Sequence, residues 1–417
     1  MTDDSPVSKR PRYVPSVKYI LMLGALAALP AVTVDMYLPS LPTVAAELHA
    51  SHAAVQFTVS AMLLGGGVGQ LVIGPFSDRF GRRLPLLIGI SLHVAFSILC
   101  SLATNIETLI ALRCLQGFFN AAAGVVAIAV IRDRFVGSDA ARLLSRLMLV
   151  IGVAPLFAPT IGQAIAGVWH WRAVFYALAL IGVVLVAIVW RWMPETLPPA
   201  SRRPKGSIGV LRAYGVLLRD RRFLALAIVP GLGMAVILSY VVGSPFVFQN
   251  EFGLSPGQFA LLFAVNGCAL VGSAQINASL VRRVSPARIL RVAVLVQLVC
   301  ALLLLAVAAT GFGGLPALLG ALWLVLGTQG MIPPNASVLA LNDYGHMAGT
   351  AAAVIGALQA GVAGLVSPLV GVFGGDSVAM ASVMLAAVTT TVVVLLFGTP
   401  FYRRDGWRQP TSAAPDA

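Results

Sequence analysis

Apolar runs of about 20 residues recur along most of this chain, each long enough to cross roughly 30 Å of hydrocarbon at about 1.5 Å rise per residue. Only 10% of the 417 residues are charged and 59% are hydrophobic. A water-facing domain runs near a quarter charged, so these runs predict transmembrane helices and not buried helices of a soluble core. The expected spans are 18–39, 53–76, 84–104, 108–130, 143–167, 171–193, 222–248, 256–280, 287–310, 314–338, 348–373 and 377–399. The long apolar first run and the lack of a small-residue cleavage site predict a retained signal anchor.

One longer polar stretch, 194–221 with SRRPKGS near its centre, divides the twelve into six and six. The expected organisation is a tail (1–17), a six-helix bundle (18–193), a linker (194–221), a second six-helix bundle (222–399) and a tail (400–417). Of the 28 Lys and Arg, all but Arg113 and Arg172 fall on alternate loops or helix ends, whereas the opposite loops carry Glu47, Glu107, Glu251 and Asp376. The positive-inside rule then assigns both tails and the linker to the cytosol. The expected fold class is an all-α, multi-pass membrane protein of twelve spans with both termini cytosolic.

The same distribution argues against nucleic acid, because the net charge of +13 is scattered between apolar runs and makes no patch. Cys100, Cys114, Cys268 and Cys300 lie far apart in apolar runs without CxxC spacing, and the five histidines do not cluster. No metal site, disulfide or catalytic residue is therefore expected. No nucleotide loop is present, so pumping would draw on an ion gradient. Two halves with a path between them are a known transporter plan, and "GPFSDRFGRR" after the second helix has a faint counterpart in "ASLVRRVSPAR" after the eighth.

Charged side chains inside hydrocarbon cost several kcal/mol unless paired or hydrated, which marks them as functional candidates. Asp35 lies about 25 Å along the first, outward-running helix, and Arg113 about 9 Å into the fourth, inward-running one. Their depths nearly coincide, so the two are expected to pair. The pair can be a structural salt bridge, or a switch: desolvation penalises a carboxylate's charge and a nearby guanidinium favours it, so helix movement can trigger titration. Asp35 is the only carboxylate deep in any expected helix and is the proton-coupling candidate. Gln116 and Asn120 follow Arg113 at +3 and +7 on one helical face, lining a cavity or bonding between helices. Tyr37, Tyr240, Phe246, Asn266, Asn335 and Gln359 are the remaining candidates for substrate contact or for packing. Gly65, Gly66, Gly67 and Gly69 in the second helix and Gly356, Gly361 and Gly364 in the eleventh permit close or sliding contact. Pro155 and Pro159 predict a bend in the fifth.

These residues carry a resemblance. "GPFSDRFGRR" resembles the loop signature of the major facilitator superfamily, "LIALRCLQGFFNAAAG" its fourth-helix motif, and "GVAPLFAPTIGQ" its fifth-helix antiporter motif, with Gly152, Pro155, Pro159 and Gly162 on matching positions. "DMYLPSLP" (35–42), "HWRAVF" (170–175), "MPETL" (193–197), "PPNA" (333–336) and "AGTAAAVIGALQ" (348–359) are similar to the bicyclomycin- and chloramphenicol-resistance branch of the drug:proton antiporters. The resemblance implies alternating-access export of drug-like amphipathic molecules against protons, with no cofactor beyond the coupling proton and lipid and substrate as partners of a monomer. It also implies that Gly74, Asp78, Arg79, Gly81 and Arg82 form a conformational latch, for which Arg132 or the N-terminus of helix eleven is the expected partner of Asp78. Three departures stand out: Ala154-Pro155 and Ala158-Pro159 replace Gly-Pro, Ala27 stands where some relatives carry a second acid, and Arg282 stands where a second latch acid would be. A metabolite exporter and a transport-inactive sensor remain the alternatives.

Overall fold

A computed structural model of the protein describes residues 17–134, 157–199 and 208–399. Most of the expected tails, the start of the fifth helix and the centre of the linker lie outside these residues. Among the described residues the structure is helical without strands, and eleven stretches are long and apolar enough to cross a membrane. They begin with Lys18–Glu47, His52–Phe80, Arg83–Ser101, Ile106–Ile131 and Arg172–Trp192, the first to fourth and the sixth of the expected series. Arg221–Glu251, Pro256–Leu280, Pro286–Thr310, Gly314–Tyr344, Gly349–Val372 and Ser377–Gly398 follow, the seventh to twelfth. A helix over 157–169 stands where the rest of the fifth is expected. Two ends of the bundle are named here for residues at the termini of the second span: the His52 end and the Asp78 end.

Local chemistry sets the boundaries. Ser51 starts the second span by accepting from the Ala54 N–H, and Asp376 starts the twelfth by accepting from Ala379. Ser255 and Gln258 form a capping box at the eighth, with Pro256 at a position whose N–H would be unpaired anyway. Gly311 closes the ninth in a left-handed conformation at φ +66°.

Two spans differ from the sequence expectation. The first does not run unbroken through 18–39. Its helix stops at Asp35, a 3-10 turn covers Leu38–Ser40, and a second helix Leu41–Glu47 carries it on to Glu47. Pro39 and Pro42 have no N–H to continue the α-helical ladder, which explains the restart in short pieces. The tenth, expected over 314–338, breaks at Gly330–Met331 and resumes as Ile332–Leu341 for the same reason, Pro333 and Pro334 being the residues that cannot donate. Gly330 is required there: a Cβ would lie 2.3 Å from Ser273 Oγ and from the Ala274 nitrogen. The linker also contains a helix, Ile208–Arg219, whose Leu217 is buried against the second half while Val216 and Leu218 are exposed.

Lipid tails are as apolar as leucine, so packing of small residues, more than burial, holds such helices together. A Cβ on Gly65 would approach the Cys114 carbonyl oxygen to 1.9 Å, and one on Gly117 the Met62 oxygen to 1.9 Å, so the second and fourth spans touch backbone to backbone. The second span also meets the eleventh, with Gly67 against Ala360, Gly364 against Leu64 and Gly356 against Gln70. We expect Gly117→Val to cost about 1–3 kcal/mol through overpacking, read as a lower thermal-unfolding midpoint in detergent; an unchanged midpoint contradicts this contact.

Candidate functional site

The break in the first span organises the site. Asp35 is the last residue of its helix and only 6% exposed. Carbonyls at a helix C-terminus lack intrahelical partners and carry the negative end of the helix dipole, an unfavourable setting for a carboxylate charge. A cation there is favourable, and Arg113 supplies it. Fully buried on the fourth span, Arg113 donates from Nη1 to the Thr33 carbonyl at 3.4 Å and to Gln116 Oε1 at 2.6 Å.

No ion pair joins Asp35 to Arg113, contrary to the pairing expected from their depths. The guanidinium lies 5.0 Å from the centre of the Tyr37 ring and 5.6 Å from that of Phe175. Each cation–π contact contributes about 0.5–2 kcal/mol, more as water is excluded. Tyr37 keeps a right-handed helical backbone (φ −85°, ψ −24°) as the α-helix gives way to the 3-10 turn, and its ring reaches Arg113 from there.

Of the remaining polar candidates, Gln116 and Asn120 are gathered here. Gln116 Nε2 donates to Ser97 Oγ at 2.7 Å and Asn120 Nδ2 to Thr33 Oγ1 at 3.3 Å. Tyr37 accepts from Thr58 Oγ1 at 3.4 Å. The fifth helix seals the break: a Cβ on Gly162 would lie 2.0 Å from the Met36 oxygen. Pro159 is buried on the same helix, whereas Gly152 and Pro155 lie outside the described residues.

The other candidates stand apart from Asp35. Tyr240 accepts from Asn266 Nδ2 at 3.2 Å and stacks on Phe263, and Asn335 Nδ2 donates to Asn277 Oδ1 at 2.7 Å. These are bonds between helices of the second half. Phe246 is buried against the His52 ring at 4.4 Å, and Gln359 is half-buried on the eleventh span.

Two features escaped the sequence reading. Glu47, at the far end of the first span, accepts from Trp171 Nε1 at 2.7 Å, lies 2.8 Å from His170 Nε2 and pairs with Arg172, whose Nη2 also holds the Ala103 carbonyl. The signal was available: Arg172 was one of two basic residues out of place, and Glu47 an acid on the same side. The second is the set of partners around Arg82, in the segment expected to form a latch. Arg82 bonds Asp78 at 2.6 Å, Ser77 at 2.8 Å and Asp133 at 2.8 Å, so Asp133 is the fourth-span partner seen here; the side chain of its neighbour Arg132 lies outside the described residues. Glu195 of "MPETL" accepts the backbone N–H groups of Arg82 and Arg83. Gly81 turns the chain at φ +94°, Arg79 is exposed over the Phe80 ring, and a Cβ on Gly74 would meet nothing within 4 Å.

The family model described as Major Facilitator Superfamily matches residues 22–368. The chain belongs to that superfamily. It is 38% identical over 381 residues to the MFS-type transporter YdgK of Bacillus subtilis (strain 168), covering 90% of this chain and 93% of that one. It is 31% identical over 382 residues to a bicyclomycin resistance protein homolog of Haemophilus influenzae, covering 91% and 96%. These relatives support the bicyclomycin-resistance branch of the superfamily. The crystal structure of a D-xylose-proton symporter shares the fold at TM-score 0.71 and 16% identity, over 90% of this chain and 96% of that one. The protein is thus a multi-pass membrane transporter of small molecules, not an enzyme, and fits a bacterial inner membrane.

At the Asp78 end, Glu195 makes a pH-dependent contribution. Burial alone would raise its pKa, but the N–H groups of Leu197, Arg82, Arg83 and Thr196 outweigh this and hold it below the ordinary carboxylate value. A depressed folded-state pKa gives stability that is present above the unfolded value of about 4.3 and lost as pH falls through the folded one. The side chain is exposed, so the effect is about 1 kcal/mol or less. Glu195→Gln should lower the unfolding midpoint at pH 7, with a deficit that shrinks as pH falls below the unfolded value of about 4.3; a deficit that does not change with pH contradicts the assignment.

Proposed function

We propose that the protein exports small amphipathic drugs in exchange for protons by alternating access, with Asp35 as the proton-carrying group. The observation that carries this reading is the buried carboxyl at the C-terminus of the first helix, two residues on from the Thr33 carbonyl that a buried guanidinium holds, and not paired with that guanidinium. Such a carboxyl can carry a proton while no cation is paired with it, and its ionised form calls for a cation such as Arg113. Exchange between the two is what a proton antiporter requires. The name of the Haemophilus influenzae relative, a bicyclomycin resistance protein homolog, supports a drug as cargo, as does a site with few fixed charges.

In this reading twelve spans place both termini in the cytosol and the His52 end faces outward. The halves meet at that end: Ser60 Oγ and Ser367 Oγ are 3.0 Å apart, Gln249 Nε2 donates to the Pro39 carbonyl at 3.4 Å, and a Cβ on Gly371 would lie 2.6 Å from Ala53 Cα. Towards the other end, beyond Gln70 and Gly356, the space at Gly74 is open. The conformation is inward-facing, and the Arg82 cluster belongs to the latch that closes when it reverses.

Two outcomes test this. Asp35→Asn protein in proteoliposomes should lose pH-driven drug transport, and an efflux-deficient bacterium expressing it should lose any resistance conferred by the wild type; full antiport by the variant sinks the coupling role. Oxidation of a Ser60→Cys, Ser367→Cys double variant should join the halves and stop transport, with recovery on reduction. Continued transport by the cross-linked protein is incompatible with a gate at this end.

A further inference from the structure

We propose that Gln56 and Gln70 are a balanced pair that sets how readily each end of the transporter opens; the proposal rests on the reading of alternating access. Both lie on the second span, on the face that meets the eleventh. The two spans run antiparallel, and their contacts follow in register: Gln56 against Gly371, Ser60 against Ser367, Leu64 against Gly364, Gly67 against Ala360 and Gln70 against Gly356. The glutamines stand about 21 Å apart along the helix at about 1.5 Å per residue, on opposite sides of the middle contact at Leu64. At each the geometry is the same. A Cβ on Gly371 would lie 2.8 Å from Gln56 Oε1, and a Cβ on Gly356 2.8 Å from Gln70 Oε1. The glycines therefore offer the amide oxygens no more than a Cα–H, a weaker partner than an N–H.

What differs is burial. Gln56, in the closed outer (His52) end, is fully buried, and neither its Oε1 nor its Nε2 has a hydrogen-bond partner among the described residues. Gln70, beside the open end, is half-buried. An amide side chain both donates and accepts, and burying it unbonded is unfavourable relative to leaving it in water. A methionine of nearly the same length would fill the space at Gln56 without that penalty. The closed outer seam is thus held less tightly than its packing allows. When the halves rock about the middle contacts, the outer end opens and water reaches Gln56, while closure of the inner end buries Gln70 against Gly356. The desolvation penalty passes from one glutamine to the other. It favours neither end, and both conformations stay within reach of the proton and the cargo.

The test is the ratio of outer-closed to outer-open molecules, read from the distances between spin labels on Leu102→Cys and Phe312→Cys at a pH where the parent protein populates both. These are exposed residues at the outer ends of the third and ninth spans. The background has Cys100, Cys114, Cys268 and Cys300 replaced by alanine. Gln56→Met should raise the ratio about tenfold, equivalent to about 1.4 kcal/mol. Gln70→Met should lower it by a similar factor, and the double variant should return to the parent ratio. Gln56→Leu and Gln70→Leu carry the same expectation, so a methionine variant that does not assemble leaves its counterpart to be read. Ordinary packing at the seam would move both single variants in one direction or neither. An unmoved ratio at either position, or shifts of one sign, overturns the proposal. A parent protein with a single outer distance at every pH and drug concentration would instead overturn alternating access, a result read without any glutamine variant.

Discussion

Inside hydrocarbon every backbone N–H and C=O must find its partner in the protein, because the solvent offers none. The first span violates the simplest solution by breaking at Asp35–Tyr37, and the surrounding structure answers that break. Arg113 donates to the Thr33 carbonyl in the last turn before it. Gly162 lets the fifth helix close over the Met36 carbonyl. Beyond the break Glu47 is held by Trp171 and Arg172. A guanidinium that would be expensive in the interior is useful because a helix ends beside it. The helix can end there because the guanidinium is present.

The same constraint shapes how the two halves meet. With no apolar driving force between helices, attachment depends on close backbone approach and on a few hydrogen bonds. The second span uses both of its faces: Gly65 and Gly69 rest on fourth-span carbonyls, and Gly67 on Ala360 of the eleventh. Contact within the first half is backbone against backbone and allows little freedom. Contact between the halves uses alanine, glycine and a pair of serine hydroxyls, with Gly371 close against the Ala53 backbone. A joint of small side chains with few polar bonds is one that can open at modest cost, as the proposed alternating access demands.

Much of this was legible in the chain itself. Among the described residues hydropathy located most of the membrane-crossing stretches to within a few residues, the first and tenth running further, since length and apolarity are local properties. Asp35 and Arg113 stood out because a charge in an apolar run has no other explanation than a protein environment. The distribution of Lys and Arg isolated Arg172, whose partner Glu47 was visible as an acid on the same side. Less legible were Asp133 and Glu195, which belong to the Arg82 cluster but lie in polar segments where an acid is unremarkable. Of the second-half candidates for substrate contact or for packing, Tyr240, Asn266 and Asn335 bond across helices, and that choice depends on neighbours remote in the chain.

Composition and spacing by themselves determined a helical membrane protein with one acid and one base deep in the spans of its first half. They did so because burying a charge or an unpaired peptide in lipid costs enough to be excluded from a sequence unless it is used. Tertiary structure alone decided that the two charges do not touch. Their depths along the bilayer were readable from residue counts, but which side chains face the guanidinium was not. Thr33 and Tyr37, and not the carboxylate, contact it. Rotation about a helix end is set by what packs against it, here Gly162, Phe175 and Gln116, residues that no local pattern connects.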